Sequence, residues 1–267
     1  ARAAAAAAIA KAGGGKGGAP VPNPGPGYIV KPIRNLRLLP AATNGRQGDA
    51  RTIHPGDVHA DIVTNGTFFG GNKFAGPVIV NGKYSRESGG GARGGVAILK
   101  DGTIEVGRYE GPTEQAIRGS YANGAQIQSF MGGGASIVEG GKAVPAADLG
   151  KGPGHQGFSG GPAAGQFNPG ARHTMLATDQ AGRAYLVVDN NSKPLAAMQR
   201  DLAGAGFKNV VMFDGGNAFG YEDKQETIFG RHEGTYAPHL SDAEVARLRN
   251  TGNGDPARMG LAMDIAK

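Results

Sequence analysis

Residues 96–106 read Val96-Ala-Ile-Leu-Lys-Asp-Gly-Thr-Ile-Glu-Val106. Two alternating apolar runs flank the pair Asp101-Gly102. This arrangement is a strong signal for a β-hairpin, because tight hairpin turns need residues that tolerate a positive φ. Similar turn signals recur at Asn81-Gly82, Gly140-Gly141 and Gly182. The chain is therefore expected to consist of short strands joined by tight turns.

From Tyr28 onward, short runs rich in Val, Ile and Phe continue between such turns, and nine of them predict strands. The predicted strands cover residues 61–64, 78–80, 96–99, 103–106, 135–138, 174–178, 184–188, 210–213 and 259–265. Residues 148–170 are rich in Gly and Pro and predict a long loop, a feature that is often functional in a compact domain.

Two helices are predicted. One begins after Ser192, with Pro194 in its first turn, and ends near Gly204 or Gly206. The other begins at Ser241, which forms a capping box with Glu244. The order strand, helix, strand from residue 184 to residue 213 predicts a βαβ unit with two parallel strands. The expected fold is a single α+β domain with a long mixed or antiparallel β-sheet and a few flanking helices.

Composition excludes several classes of function. The chain has 267 residues, of which 49 are Gly and 16 are Pro, and it has no Cys. Disulfides, Cys-ligated metals and a Cys nucleophile are therefore excluded. The net charge of +6 is spread along the chain and is not interleaved with aromatic residues. We therefore predict no nucleic-acid partner. No apolar run reaches the length of a transmembrane helix, and no cofactor is predicted.

Residues 1–27 differ from the rest. An Ala-rich stretch is followed by a Gly- and Pro-rich stretch, a composition typical of a linker or of the end of an upstream helix. The predicted domain then spans residues 28–267. A linker of this kind predicts a larger or processed parent, such as an extracellular, cell-envelope or phage-virion protein.

Three short motifs contain candidate site residues. Asp214 ends the apolar run 210–213, and Gly215 and Gly216 after it leave room for a ligand and can direct backbone N–H groups at an anion. Asn65 follows another short strand and is followed by Phe68 and Phe69, which could form an apolar wall. The alternatives are a capped turn at Asp214 and a hairpin with buried phenylalanines at 68–69.

Arg172 lies just before the predicted strand 174–178, and its planar guanidinium suits a phosphate or a carboxylate. Four potential metal ligands, namely His54, Asp57, His59 and Asp61, lie within eight residues. Because Pro55-Gly56 breaks any helical spacing, a solvated polar loop is expected there and no metal is predicted.

Taken in order, these motifs resemble the phosphodiester glycosidase family. Residues 64–69 (TNGTFF) resemble its Asn-Gly-Gly-Tyr-Phe motif, and residues 125–129 with 134–141 resemble its central segment. Residues 171–175 (ARHTM) resemble its Arg-Thr-Ala strand start, with an extra His173. Residues 213–218 (FDGGNA) resemble Leu-Asp-Gly-Gly-Gly-Ser. The sequence departs from the pattern at Thr67, Phe69 and Asn217-Ala218.

The resemblance implies an α+β fold and hydrolysis of a sugar-1-phosphodiester. It places a carboxylate at Asp214, a phosphate-binding cation at Arg172 and a substrate-orienting amide at Asn65. Further substrate contacts are implied at Gly215, Gly216, Asn217, Phe69, His173 and Gln128. A second acid is not assigned, and the candidates are Glu87, Glu222 and Asp223. The implied partner is a phosphorylated carbohydrate. The competing hypothesis is a non-catalytic glycan-binding or structural module of a surface or phage tail protein.

Overall fold

The computed structural model describes residues 20–40, 42–43, 46–47, 58–66, 69–70, 73–74, 76–85, 93–150, 155–158, 167, 172–190, 193–215, 220–223, 227–229, 235–236 and 259–266. Within these residues the chain is dominated by one 15-stranded sheet, in which every described pairing is antiparallel. The fold is therefore mostly β. Of the two predicted alternatives, a mixed or an antiparallel sheet, the described part of the chain has the antiparallel one.

The strands before residue 100 are β1 (Tyr28–Pro40), β2 (Ala42–Thr43), β3 (Arg46–Gln47), β4 (Ile62–Asn65), β5 (Phe69–Gly70), β6 (Lys73–Phe74), β7 (Val78–Val80), β8 (Lys83–Ser85) and β9 (Arg93–Leu99). The later strands are β10 (Ile104–Tyr109), β11 (Ile127–Glu139), β12 (Lys142–Ala143), β13 (His173–Asp179), β14 (Ala184–Asp189), β15 (Phe207–Gly215), β16 (Gly220–Glu222), β17 (Thr227–Phe229), β18 (Thr235–Tyr236) and β19 (Met259–Ile265). Two α-helices are described, α1 (Glu114–Ser120) and α2 (Leu195–Gly204).

The main path of the sheet runs β10-β9-β11-β15-β13-β14-β1-β19-β4-β16-β17-β18. It is strongly curled. Strands β13 and β4 are four steps apart on this path, which would separate them by about 19 Å in a flat sheet. Yet the hydroxyl of Thr64 on β4 lies 2.9 Å from the hydroxyl of Thr174 on β13. The two strands therefore face each other across the interior.

Curling creates an inner and an outer apolar layer. The inner layer includes Leu176, Leu186, Val211, Phe213 and Met263. The outer layer includes the alternate residues of the same strands and the buried side chains of α2, namely Met175, Val187, Met212, Leu195, Met198 and Leu202. Gln199 on α2 donates from its amide nitrogen to the carbonyls of Ile137 and Val144, at 3.0 and 2.8 Å, which fixes the helix on the outer face.

The hairpin turns are confirmed at the predicted positions. Asn81 and Gly82 have φ of 50° and 78°, and Gly140 and Gly141 have φ of 58° and 81°. Gly102 and Gly182 also have positive φ, 86° and 81°. Eight of the nine predicted strands overlap longer or equal observed strands, and the ninth, 61–64, is shifted by one residue to Ile62–Asn65. The residue types in these turns therefore specify where the strands are joined.

The strand–helix–strand prediction is confirmed in direction and corrected in pairing. Strands β14 and β15 flank α2 in sequence, but they do not contact each other in the sheet. Both pair antiparallel with β13, which lies between them, so they run parallel to each other without a shared ladder. The predicted helix start at Ser241 lies outside the described residues, as do residues 1–19 of the predicted linker.

The sequence did not predict β1 or α1. Strand β1 contains Pro32 and several charged residues, features that argue against a central strand, yet it lies between β14 and β19. Its register shifts between Ile33 and Asn35, next to the proline. Helix α1 is capped by Thr113, whose hydroxyl accepts from the backbone N–H of Ala116 at 3.2 Å. That cap was a readable signal.

The predicted loop 148–170 is anchored to the sheet where it is described. The buried amide of Gln156 accepts from the backbone N–H of Ser136 and donates to its carbonyl, both at 2.7 Å. Gln156 thus occupies the edge of β11 as a neighbouring strand would. The guanidinium of Arg93 lies 4.5 Å above the ring of Phe158, and Phe158 packs edge-to-face on Phe167.

Candidate functional site

A buried network of three polar side chains joins β4 to β13. The hydroxyl of Thr174 donates to Oδ1 of Asn65 at 2.8 Å, and the hydroxyl of Thr64 lies 2.9 Å from that of Thr174. Asn65, Thr64 and Thr174 are 1%, 2% and 0% exposed. Because these side chains come from facing parts of a curled sheet, the network brings the predicted site residue Asn65 to the start of β13.

The end of β15 is irregular next to this network. His173 pairs with Gly215 and Met175 pairs with Met212, so the single residue Thr174 faces two residues, Phe213 and Asp214. This two-against-one arrangement is a β-bulge, a device that re-aims side chains at functional sites. The predicted carboxylate Asp214 therefore lies in a bulge at the end of a strand whose preceding residues, Val210–Phe213, are buried.

His173 contacts the same bulge. It is 1% exposed, and its Nδ1 lies 3.4 Å from the carbonyl oxygen of Phe213. Since a carbonyl can only accept, Nδ1 carries the hydrogen in this contact. The imidazole therefore supports the backbone just before Asp214. Its predicted contact with a substrate remains a prediction.

Arg172 precedes β13 directly and is 7% exposed. Its Nε donates to the carbonyl of Asn190 at 3.5 Å. Asn190 follows β14, and its backbone N–H donates to the carbonyl of Gly27, just before β1. The Nε side of the Arg172 guanidinium is thus held at the end of the sheet where β13 begins and β14 ends. Asn65 and Asp214 lie at the same end.

Asp189 lies at the same end of the sheet and was not among the residues predicted from the sequence. It is fully buried, and its register partners are His173 on one side and Tyr28 on the other. Its Oδ2 accepts from the backbone N–H of Lys193 at 2.7 Å. Gly215, His173, Asp189 and Tyr28 thus form one row across four strands. The available signal was an acid at the end of the predicted strand 184–188.

The structure does not bring Gln128 to this cluster. It is exposed near the start of β11, where its carbonyl accepts from Gly82 N–H at 2.7 Å. Continuing the register from Ala135 and Met212 puts Gly133 level with Asp214. Gln128 is five residues further along, about 16 Å. Its predicted contact with substrate has no support from this placement.

The other predicted residues are described in part or not at all. Phe69 lies in the short hairpin of β5 and β6, and Glu222 lies in β16. For both, only the backbone is described. Gly216, Asn217 and Glu87 lie outside the described residues.

Asp223 is the one candidate second acid whose side chain is described. It is 4% exposed, accepts from the hydroxyl of Tyr221 at 2.5 Å and pairs with Nζ of Lys31 at 3.4 Å. Tyr221 is the register partner of Thr64, so Asp223 is level with Ile62, about 10 Å along the strand from Asn65. These contacts hold the buried carboxylate of Asp223 in an ion pair with the partly exposed Lys31.

Two members of the predicted polar loop, His59 and Asp61, are described. His59 is exposed with φ of 48°, and Asp61 accepts from the backbone N–H of Ile265 at 3.0 Å. His54 and Asp57 lie outside the described residues. Across the described ranges, no three His, Asp or Glu side chains are grouped as metal ligands.

With this geometry in view, comparison with known proteins identifies the family. The family profile described as phosphodiester glycosidase matches residues 59–221, more than half of the chain. This chain belongs to the phosphodiester glycosidase family. The match includes Asn65, Arg172, His173 and Asp214, and it ends before Asp223. No curated protein matches the chain in sequence.

Solved structures agree on the fold of this phosphodiester glycosidase family member. The zebrafish N-acetylglucosamine-1-phosphodiester α-N-acetylglucosaminidase catalytic domain, auto-inhibited by its pro-peptide, is 15% identical with a TM-score of 0.59, and the match covers 87% of this chain and 74% of that one. An exported protein of Burkholderia pseudomallei is 11% identical with a TM-score of 0.52, covering 89% and 71%. At these identities the likeness shows the fold alone. Among the described residues, no helix has the length and hydropathy that a membrane crossing requires.

Proposed function

We propose that this chain is a hydrolase that cleaves the bond between the anomeric carbon of a sugar and a phosphodiester. The observation that carries the proposal is the meeting of three strand ends. Asn65 of β4 is hydrogen-bonded to Thr174 of β13 at 2.8 Å, and Thr174 faces the β15 bulge that contains Asp214. Three motifs far apart in sequence thus reach one end of the sheet, as a shared site requires.

The proposed roles follow from the chemistry of the bond. Breaking it develops positive charge at the sugar carbon and negative charge on the departing phosphate. A carboxylate near the carbon and donors near the phosphate stabilise these charges. We assign the first role to Asp214. We assign the second role, stabilising the phosphate, to Arg172, Asn65 and the backbone N–H groups of Gly215 and Gly216. Further substrate contacts are proposed at three residues that are close to these in sequence, namely Asn217, Phe69 and His173.

The substrate class is a glycoconjugate or an envelope polymer with a sugar-1-phosphodiester. We also propose that the protein acts outside the cytoplasm, a location supported by its likeness to an exported bacterial protein. A phage particle and a multidomain assembly gain no support from these relatives.

A non-catalytic glycan-binding module is the second candidate. It is favoured by one sequence feature: Asn217-Ala218 stands where the family motif has Gly-Ser, which removes a hydroxyl next to the proposed carboxylate. Such a module would retain the anion-binding residues and lack turnover. Binding and hydrolysis must therefore be measured separately.

The test is sugar release from a panel of sugar-1-phosphodiesters that includes UDP-N-acetylglucosamine, with Asp214→Asn beside the parent. Asp101→Asn is the matched control, because Asp101 is an exposed turn residue and Asn-Gly suits the same turn. We expect release by the parent and by Asp101→Asn, and a loss of at least about 100-fold in Asp214→Asn. If Asp214→Asn releases sugar as fast as the parent, the role assigned to the Asp214 carboxylate is refuted. Binding without release by the parent would establish the second candidate.

A further inference from the structure

We propose that Arg93, the first residue of β9, binds a second phosphate group of the substrate, the one that follows the phosphate attached to the sugar. The inference rests on the proposed function and deepens it, because it states the charge of the group that departs from the sugar. It assigns a task to an arginine that was not among the residues predicted from the sequence.

Arg93 is a cation without an acidic partner. The residue is largely buried, with part of its surface still exposed, and burial lowers the pKa of its guanidinium. Its Nε is buried and makes no hydrogen bond. Within the part of the chain that the structure describes, Arg93 forms no ion pair. Since charges in a protein interior are normally paired, such a cation is a candidate for binding an anion.

The contacts that Arg93 does make fix the plane of its guanidinium and use few of its donors. The group lies 4.5 Å above the centre of the Phe158 ring. Its Nη2 donates to the carbonyl of Gly157 at 3.4 Å, a long hydrogen bond. A guanidinium has five N–H donors, arranged in a planar fork that matches two phosphate oxygens. Stacking on a ring leaves the donors at the edge of this fork able to bind an anion.

The side chain of Arg93 lies on the face of the sheet that leads to the proposed site. Arg93 is opposite Tyr109 in the β9–β10 ladder, and such partners share a face. The hydroxyl of Tyr109 accepts from the backbone N–H of Gly133 at 3.2 Å. Gly133 is the residue of β11 that is level with Asp214. The face that holds Arg93 therefore extends to the strand position beside the proposed carboxylate.

The register gives the separation of the two residues. Continuing the β9–β11 ladder puts Arg93 level with Ala135, which pairs with Met212, two residues before Asp214. Arg93 is thus two strands across from Asp214, about 10 Å, and two residues along, about 7 Å. This separation is too long for one phosphate and suits a longer ligand. Its sugar would lie at Asp214, and its second phosphate would be bound by Arg93.

The test compares two substrates that differ by one phosphate. They are the methyl phosphodiester of N-acetylglucosamine 1-phosphate and the methyl ester of N-acetylglucosamine 1-diphosphate. The full chain is compared with Arg93→Gln, which removes the charge and keeps a polar side chain. Arg34→Gln is the matched control, because it removes one positive charge from an exposed position on β1. The measurements are kcat/KM for sugar release and the thermal midpoint of each protein.

We expect Arg93→Gln to lower kcat/KM for the diphosphate by about 10- to 100-fold, the usual range for hydrogen bonds to a charged group. The monophosphate should change by less than about threefold, and Arg34→Gln should change both substrates by less than that. Arg93→Lys serves in place of Arg93→Gln if the latter does not fold. It keeps the charge without the fork, so the same contrast is expected at a smaller size.

Equal losses for the two substrates would overturn the inference, because they would mean that Arg93 acts only by supporting the loop at Phe158. Unchanged kcat/KM for the diphosphate would overturn it as well. If Arg93→Gln loses affinity for inorganic phosphate while the ratio of the two substrates stays that of the parent, Arg93 binds a free anion and not the substrate.

The inference can fail separately from the proposed function. If the parent releases sugar and the contrast between substrates is missing, only the role of Arg93 fails. If the parent releases no sugar, the hydrolase proposal fails, and calorimetry with inorganic diphosphate and inorganic phosphate still tests Arg93. We then expect the parent to bind diphosphate more tightly than phosphate and Arg93→Gln to lose this preference. A parent without the preference, or a variant that retains it, would refute the role of Arg93.

Discussion

His173 lies directly opposite Gly215 in the β13–β15 ladder, and its Nδ1 is 3.4 Å from the carbonyl oxygen of Phe213. The ring thereby supports the bulge that contains Asp214. Asn places an amide nitrogen close to the position of Nδ1, whereas Gln places one close to Nε2. We expect His173→Asn to retain most of the kcat/KM for sugar release and His173→Gln to lose about tenfold.

The measurement is steady-state kinetics with thermal midpoints for each variant. His173→Ala is the reference for complete loss of the ring. If His173→Asn is as impaired as His173→Ala while its midpoint equals that of the parent, the Nδ1 contact is not what matters. A direct contact between His173 and the substrate would then account for the loss better.

Gly134 lies on β11 next to Ala135, which pairs with Met212 of β15. A Cβ at this position would lie 2.5 Å from Cγ1 of Val211 and 2.8 Å from the ring of Phe213, closer than real side chains approach. Gly134→Ala should therefore lower the free energy of unfolding by about 1–3 kcal/mol. Gly107→Ala on β10 is the control, because a Cβ there meets nothing within 4 Å. Urea denaturation of both variants checks the contrast, and an equal effect of the two would contradict it.

Gln156 replaces a strand partner for Ser136. Gln156→Ala would leave the N–H and the carbonyl of Ser136 without the bonds they make at 2.7 Å, in a fully buried position. We expect a loss of about 2–4 kcal/mol in the free energy of unfolding, since each buried group left unsatisfied costs about 1–3 kcal/mol. Gln126→Ala, at an exposed position, should change it by less than about 0.5 kcal/mol.

Hydrogen exchange adds a local measurement. The backbone amide of Ser136 should exchange much faster in Gln156→Ala than in the parent, while amides of β14 exchange alike. Unchanged protection at Ser136 would mean that another group takes over the role of Gln156.

The carboxyl of Asp179 makes the free energy of unfolding depend on pH in the acidic range. Burial acts to raise the pKa of this carboxyl, but hydrogen bonds from the backbone and side chain of Arg183 and from the Tyr185 hydroxyl outweigh it and lower the pKa. Because the pKa of Asp179 is lower in the folded protein, its carboxylate stabilises the fold at pH values above the pKa of an unfolded Asp, about 3.9. This stabilisation is lost as the pH falls through the pKa of the folded state. The free energy of unfolding should therefore decrease as the pH drops below about 4.

Asp179→Asn should be less stable than the parent at pH 7 and should show a shallower decrease in acid. Urea denaturation at several pH values between 7 and 2 measures both. Parallel pH profiles for the two proteins would show that Asp179 does not contribute to the acid dependence.

The predictable parts of the fold are those determined by local chemistry. Asn81-Gly82 and Asp101-Gly102 predict their hairpins because few other residues adopt these turn conformations. Pro194 marks the start of α2 for a similar local reason. In contrast, β1 was missed because its pattern includes Pro32 and charged residues. Its strand conformation is imposed by β14 and β19, which are far away in sequence.

The candidate site divides in the same way. Asn65, Arg172 and Asp214 could be proposed from the sequence because each lies next to a predicted strand within a recognisable motif, and their roles stay predictions. Thr174 and Asp189 could not be proposed, because their significance depends on which strands meet. The curl that places Thr174 against Thr64 comes from packing of the whole sheet. Gln128 was included for its motif, and the register puts it far along β11.

The position of β19 has a consequence for synthesis on the ribosome. This strand pairs with β1 on one side and β4 on the other, with Ile33 opposite Ile265 and Asn65 opposite Gly260. Both β1 and β4 thus pair with a strand that is synthesised about 200 residues later. Contacts between residues so far apart in sequence form slowly. Until then the nascent chain presents open β-edges, which are prone to aggregation. Productive folding of this protein is therefore expected to follow synthesis of β19, and holding chaperones should raise its yield.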